Sequence, residues 1–216
     1  MHLKIQEAPK SWPIYRKGRR YVVRPSSNLN SGLAFLTVLR DMAKVVSNRK
    51  EARRLIFLKH VLLNNKIPKD EKEAVGLFDT ISLVSMKKNY RIDISEKGKF
   101  ELKEINESEA NKKVAKLVDK KTLKGKKTQL NLQDGRNFLS EMKCSVNDSV
   151  LINFKDKKIE KCLPMNKGSR AVVFVGKHSG KRGEIKSIDL NKKTIEMETG
   201  DKEKLNVLLK QIIITE

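Results

Sequence analysis

The longest unbroken apolar run in this chain is Ala171-Val172-Val173-Phe174-Val175, five residues in a sequence of 216. A membrane-spanning helix needs about twenty consecutive apolar residues, so none is expected. Apolar residues make up 38% of the chain and aromatic ones only 5%, a supply that suits several small cores better than one large one. Charge dominates the remainder. Forty-eight Lys and Arg against 26 Asp and Glu leave a formal net charge of +22, and a polyanion is the partner that such an excess implies. Nucleic acid fits better than a membrane surface, because the cations are spread through globular-looking sequence with no long amphipathic basic helix and no lipidation signal. The first ten residues carry charge and no apolar h-region, so no secretory leader is expected.

Residues 1–32 contain Pro9, Pro13 and Pro25, and through Arg24 they carry seven basic residues against one acid, Glu7. Such a segment is expected to be an extended basic arm that buries little. Arg16, Lys17, Arg19 and Arg20 are its candidate phosphate contacts. Trp12, the single tryptophan of the chain, has two readings: an anchor packed on the protein, or a ring stacked on a base. From Leu33 the residues Leu36, Leu39, Met42, Ala43 and Val46 recur at three- and four-residue spacing, which predicts an amphipathic helix. A second helix follows, with Asn48 as its cap and Glu51 completing a capping box. Arg49, Lys50, Arg53 and Arg54 fall on an arc beside its apolar stripe of Ala52, Leu55 and Ile56, since i and i+4 positions share a face; Arg49 and Arg53 are expected to contact RNA phosphates, with Lys50 and Arg54 sharing the surface. Strands are predicted at 61–63 and 80–84, with Asn64-Asn65 as a turn that tolerates positive φ, and a hairpin at 90–94 and 100–102 turns at Gly98. Residues 33–105 therefore read as helix, helix and small sheet.

A short helix is predicted over 107–117, with Ser108 as a candidate cap. Eight lysines lie between Lys112 and Lys127 with only Asp119 opposing them, but the interleaved Val114, Leu117, Leu130 and Leu132 mark an ordered face. Residues 121–137, KTLKGKKTQLNLQDGRN, set a glycine turn with Lys124, Lys126 and Lys127 before a strand at 128–132 and an Asp134-Gly135 turn. That pattern describes a hairpin facing nucleic acid. A further hairpin at 150–154 and 159–163 completes a mostly β module over 106–165. In the last module, 166–216, a buried strand at 172–175 leads into a three-glycine loop, 176–183, which carries Lys177, His178, Lys181 and Arg182, and the sheet resumes at 184–188. Nine basic and seven acidic residues from Gly176 onward leave this module near neutral, so its loop cations imply a focused contact. The loop lacks the spacing of a phosphate-cradling Gly-Lys-Ser/Thr motif.

Catalysis finds no constellation. The three histidines His2, His60 and His178 lie on separate segments, and Asp79 and Asp134 sit beside glycines in turns, where a carboxylate serves backbone hydrogen bonds. Cys144 and Cys162 lack further metal ligands at suitable spacing and read as small apolar residues in a reducing cytoplasm. No enzymatic activity, metal or cofactor is expected.

Three passages carry a resemblance. Asn-Arg-Lys-Glu-Ala-Arg-Arg-Leu-Ile at 48–56, Val-Leu-Leu-Asn-Asn-Lys at 61–66 and Gly-Leu-Phe-Asp-Thr-Ile at 76–81 resemble the S-four RNA-binding domain, with His60 and Asn65 standing where that family commonly has glycine. The loop 176–183 resembles the KOW motif of SH3-like barrels. With the Ser11-Trp12-Pro13-Ile14 arm and the block at 121–137, these elements appear in the order of the archaeal and eukaryotic small-subunit ribosomal protein family S-four-e. The resemblance implies an α+β fold with a helix-helix-sheet RNA-binding domain, a central β-rich module and an SH3-like barrel. It also implies a structural ribosomal role on the cytoplasmic ribosome, with small-subunit ribosomal RNA and neighbouring small-subunit proteins as partners and no membrane. The wording Ala74-Val75-Gly76-Leu77 looks archaeal. The alternative is a free RNA-binding regulatory factor of transcription or translation, suggested by the KOW-like loop.

Overall fold

A computed structural model describes residues 2–125, 127–200 and 203–215. The chain divides into two compact units, Met1–Ser95 with Lys99–Asn111, and Glu96–Gly98 with Lys112–Glu216. Most of the regular structure is strand, with a few short helices, as the α+β expectation requires.

In the first unit β1 (Leu3–Lys4) pairs antiparallel with β2 (Tyr21–Val22), placing Leu3 opposite Val22. The N-terminal segment therefore departs from the extended arm expected for it. Leu3, Ile5, Ala8 and Trp12 are all buried, Phe100 N–H donates to Ser11 O at 2.9 Å, and Ser26 N–H donates to Lys72 O at 2.8 Å. Four well-placed apolar side chains suffice to dock a segment whose average composition is polar, because burial is a property of positions and not of means.

β3 (Gly32–Ala34) pairs with β5 (Ala74–Gly76), and β4 (Val61–Leu63), β6 (Thr80–Leu83), β7 (Lys88–Ile94) and β8 (Phe100–Ile105) form an antiparallel sheet in the order β4-β6-β7-β8. The helix predicted from Leu33 begins later, because Leu33 is taken by β3. α1 (Phe35–Thr37) runs into a π-helical turn, Val38–Met42, and Lys44 at φ 54° ends it before Val46. Residues 35–39 are buried on every side, so this helix has no polar face at its start and is not the amphipathic one that the spacing predicts. α2 (Arg49–Phe57) is the predicted second helix. Asn48 Oδ1 accepts from Glu51 N–H at 3.0 Å while Glu51 Oε2 accepts from Ser47 N–H at 2.7 Å, satisfying donors that the first turn leaves open. Its end is a Schellman turn: Lys59 N–H reaches Ile56 O, His60 N–H reaches Leu55 O, and Lys59 takes φ 57°. Positive φ is thus required one residue before His60, so His60 is tolerated. Asn64 and Asn65 adopt φ 51° and 59°, as the turn demanded. Val84 falls outside the predicted strand, in a 3-10 turn over Val84–Met86.

The helix predicted over 107–117 is four residues, α3 (Glu107–Ala110), and it follows Asn106, with Ser108 inside it. Val114 and Leu117 lie instead on β9 (Lys112–Thr122), whose alternation the lysines had obscured. In the second unit β9 is the middle strand of a sheet ordered β11-β10-β9-β12-β13, with β10 (Thr128–Leu132), β11 (Asn137–Leu139), β12 (Ser149–Asn153) and β13 (Lys158–Leu163). Leu117, Leu130, Val150 and Ile152 pack its core with Cys144. Cys144 and Cys162 are free thiols; burial, with Cys144 and Asp148 beside it, pushes the Cys162 thiol up to about 12.

The same unit carries a second antiparallel sheet in the order β17-β16-β15-β14-β18, built from β14 (Arg170–Val173), β15 (Arg182–Asp189), β16 (Thr194–Thr199), β17 (Lys204–Leu208) and β18 (Ile212–Ile214). Val173, Ile185, Ile195, Met197 and Ile212 fill its interior. β14 stops at Val173, so the apolar run that looked longest in the sequence is split: Phe174 is half-buried and Val175 is 48% exposed. A buried cation joins the two sheets. Lys116 Nζ donates to Leu209 O, and to Ile212 O at 2.7 Å, and burial lowers its pKa to about 8.

Gly183 shows how closely β15 and β16 approach: a Cβ there would lie 2.2 Å from Glu198 O. Gly183→Ala is expected to destabilise the chain by roughly 1–3 kcal/mol or more through forced separation of the strands. Gly200→Ala, with open space around it, should be close to neutral. Thermal unfolding of the two variants checks the contrast.

Candidate nucleic-acid interface

In the first unit the basic arc on α2 divides into two pairs with different duties. Arg49 and Arg53 turn toward Glu71, whose side chain is 1% exposed. Arg49 Nε donates to Glu71 Oε1 at 2.6 Å, while Arg53 donates through Nη2 to Oε1 at 3.0 Å and through Nε to Oε2 at 3.1 Å. The Glu71 backbone is engaged as well, its carbonyl accepting from Leu36 N–H at 2.9 Å, so the ion pair ties α2 to the start of α1. Burial pushes the Glu71 carboxyl up, but the hydrogen bonds from Arg53 and Arg49 outweigh it and hold its pKa at about 2. Lys50 and Arg54 are exposed and have no ion-pair partner among the described residues, which leaves them as the uncompensated charges of this face.

The N-terminal segment presents a second basic stretch, with residues 15–20 all exposed. Arg16 is held to the chain, its Nη2 donating to Ala8 O and Pro9 O, both at 2.9 Å. Arg19 lies 3.7 Å from Asp41, Arg20 sits over the Tyr21 ring at 5.4 Å, and Lys17 has no partner among the described residues. Trp12 takes the first of its two readings: at 1% exposure it is an anchor inside the protein, and no face of its ring is offered to a base.

In the second unit the predicted hairpin is formed by β9 and β10, with Gly125 at φ 80° in the connection. Lys124 and Lys127 are exposed and unpaired among the described residues; Lys126 lies outside them. Lys113 and Lys116, from the same lysine run, point inward. Lys113 Nζ donates to Asp134 Oδ2 at 3.0 Å, and Asp134 Oδ1 accepts from Arg136 N–H at 3.1 Å across the Gly135 turn. Burial raises the Asp134 pKa, but Lys113 and the turn lower it further, leaving it below the usual range. The Arg136 guanidinium lies 4.8 Å over the Phe154 ring. Asp79 is equally committed, accepting from Gly76 N–H at 2.6 Å and Asn64 Nδ2 at 2.9 Å.

The glycine loop before β15 is stitched by its own backbone: Gly180 N–H reaches Val173 O at 2.7 Å and Ser179 N–H reaches Gly176 O at 3.2 Å. Gly176 and Gly180 take φ 105° and 94°, whereas Gly183 is small to admit β16. Lys177 is exposed and His178 half-buried, while Arg182 and Gly183, expected in the loop, open β15, with Arg182 exposed. Lys181 pairs with Glu203, whose carboxyl it holds below the usual range, so this loop projects less free charge than a count of its cations suggests.

Sequence reasoning had not singled out Glu71, which is one of three acids within four residues and has no local mark of burial. It also passed over Tyr15, 92% exposed amid the basic stretch, and Phe57, 84% exposed at the end of α2. Among the described residues no helix is long and apolar enough to cross a membrane, and no three His, Cys, Asp or Glu side chains gather to hold a metal.

Comparison with known proteins found three family matches: Ribosomal family S4e over residues 86–159, the RS4NT (NUC023) domain over 1–27 and the S4 domain over 37–81. Small ribosomal subunit protein eS4 of Methanocella arvoryzae is 38% identical over 190 residues, 87% of this chain and 80% of that protein. Its counterpart in Methanothermobacter thermautotrophicus is 36% identical over 197 residues, 90% of this chain and 81% of that protein. The crystal structure of the 30S ribosomal protein S4e from Thermoplasma acidophilum matches in fold with a TM-score of 0.73 at 24% identity, covering 86% of this chain and 95% of that one.

The Glu71 ion pairs give stability a defined pH dependence. A carboxyl whose folded pKa is about 2 against an ordinary 4.5 contributes stability that is fully present above pH 4.5 and is lost as pH falls toward 2. Glu71→Gln is expected to lower the melting temperature at pH 7 and to flatten the acid limb of the stability profile between pH 4.5 and 2, measured by thermal unfolding across that range.

Proposed function

The chain belongs to the small ribosomal subunit protein eS4 family, and from that membership we propose that it is a structural constituent of the small subunit which binds ribosomal RNA. The observation that carries this reading is the division of the α2 arc into Arg49 and Arg53, engaged by Glu71, and Lys50 and Arg54, exposed without partners among the described residues. The inward pair fixes the helix; the outward pair is then held in place for a polyanion without having to be ordered by it. Lys124, Lys127 and Lys177 extend the same logic on other elements, each exposed beside a backbone hydrogen bond of its turn, and Lys17 is exposed next to the anchored Arg16. Arg49 and Arg53 retain 45% and 58% side-chain exposure, so they add field at the surface while serving the fold. Lys181 contributes less, being neutralised by Glu203.

Lysine and arginine on A-form RNA neutralise phosphates and release counterions, which gives affinity set by shape and charge. Partners are the small-subunit ribosomal RNA and neighbouring small-subunit proteins; the place of action is the cytoplasmic ribosome. The role is structural and not enzymatic, in keeping with Asp79 and Asp134 already accepting backbone N–H groups.

Replacing Lys50 and Arg54 together by Gln tests the reading. The variant is expected to fold normally and to weaken binding to small-subunit ribosomal RNA, reducing the magnitude of the salt slope by roughly 0.7–0.9 per lost phosphate contact. An unchanged slope would make the α2 face a solvated surface. Sedimentation tests the ribosomal assignment: the chain is expected at one copy per salt-washed small subunit, and RNA binding without such retention would favour a free regulatory factor.

A further inference from the structure

We propose that Tyr15 is a stacking platform for one unpaired base of RNA, with Lys17 as the uncompensated cation for the adjoining phosphate; the inference deepens the RNA-binding reading above and rests on it. Tyr15 is 92% exposed, the most exposed of the large hydrophobic side chains, and no aromatic ring or cation covers it among the described residues. The contrast with Tyr21 is informative, since that ring already has the Arg20 guanidinium and the His2 ring, each at 5.4 Å.

The exposure is not that of a loose end. On one side Trp12 is buried and its carbonyl accepts from Ile14 N–H at 2.9 Å; on the other, Arg16 is fastened to Ala8 O and Pro9 O. The segment is closed by β1 and β2 and by Ile5 N–H donating to Arg20 O at 3.1 Å. Tyr15 therefore stands on a fixed base, and stacking on it costs little ordering of the protein. Gly18, three residues after Tyr15, has φ 83° and open space around it, so the backbone there can come close to a phosphate. A ring amid cations recognises a base face and a phosphodiester at once, and it does so without sequence preference. The excess of cations over acids in this stretch fits a polyanion better than a protein surface of mixed charge.

The test uses the full chain and two labelled RNAs of about twelve nucleotides, a single-stranded oligoadenylate and a blunt duplex whose bases are already stacked. Tyr15→Leu is expected to weaken single-strand binding roughly five-fold or more, to leave duplex binding within about two-fold, and to leave the salt slope unchanged because no charge is lost. Tyr15→Phe should retain the wild-type affinity, and both variants should melt like the wild type, since the side chain is exposed. No loss in Tyr15→Leu, or an equal loss on both RNAs, would overturn the proposal. Wild-type affinity for both RNAs combined with poor incorporation into small subunits would overturn it too, by assigning Tyr15 to a protein contact. If the wild-type chain bound neither RNA, the RNA-binding reading itself would fail, an outcome visible before any variant is compared.

Discussion

A chain with a net charge of +22 repels itself when it folds, and the placement of its 26 acids decides where that repulsion is relieved. Several are spent in pairs that each hold a particular joint. Glu71 binds Arg49 and Arg53 across α2 and the start of α1; Asp134 binds Lys113 and closes the turn after β10; Asp41 takes Arg40 at 2.8 Å; Asp93, 3% exposed, takes Lys103 at 2.9 Å. Exposed pairs contribute little to stability, but a carboxylate at 1% exposure cannot remain charged without its cations. Several of the paired cations, Arg49, Arg53 and Lys103 among them, stay partly exposed, so what folding decides is which surface charges are already compensated and which are not.

The same accounting explains the burial of Lys116. An ammonium inside a core is unfavourable, and burial lowers its pKa accordingly, yet its two hydrogen bonds satisfy Leu209 O in the 3-10 turn after β17 and Ile212 O at the start of β18. Ser149 Oγ accepts from Ile214 N–H at 2.9 Å on the neighbouring strand β12. Two polar side chains of one sheet thus complete the backbone of the other. A hydrophobic residue in place of Lys116 would leave those carbonyls unpaired.

The two positions at which the resemblance to the S-four domain led glycine to be expected, His60 and Asn65, have local explanations. At the end of α2 the left-handed residue is Lys59, so His60 meets no steric penalty; at the turn after β4, Asn64 and Asn65 supply the positive φ that glycine would give elsewhere. Glycine remains where no side chain fits at all, as at Gly183 against Glu198 O.

Short-range chemistry was legible in the sequence. The capping box of α2, the Asn64-Asn65 and Asp134-Gly135 turns, the hairpin of β12 and β13 and the alternation of β10 all arise from interactions within a few residues, which spacing reveals. The basic surface was legible too, since charge is a property of composition. What tertiary structure decided was the use of each charge and each aromatic ring. Whether Arg49 meets a phosphate or Glu71 depends on a residue 22 positions away, and whether Lys116 is solvated depends on carbonyls 93 and 96 positions away. Trp12 is buried and Tyr15 exposed three residues later, a difference that goes with the docking of Ser11 O on Phe100 N–H of β8, 89 positions along the chain. Local pattern specifies which backbone conformations are available, while burial and ion pairing are set by neighbours brought together from far along the chain.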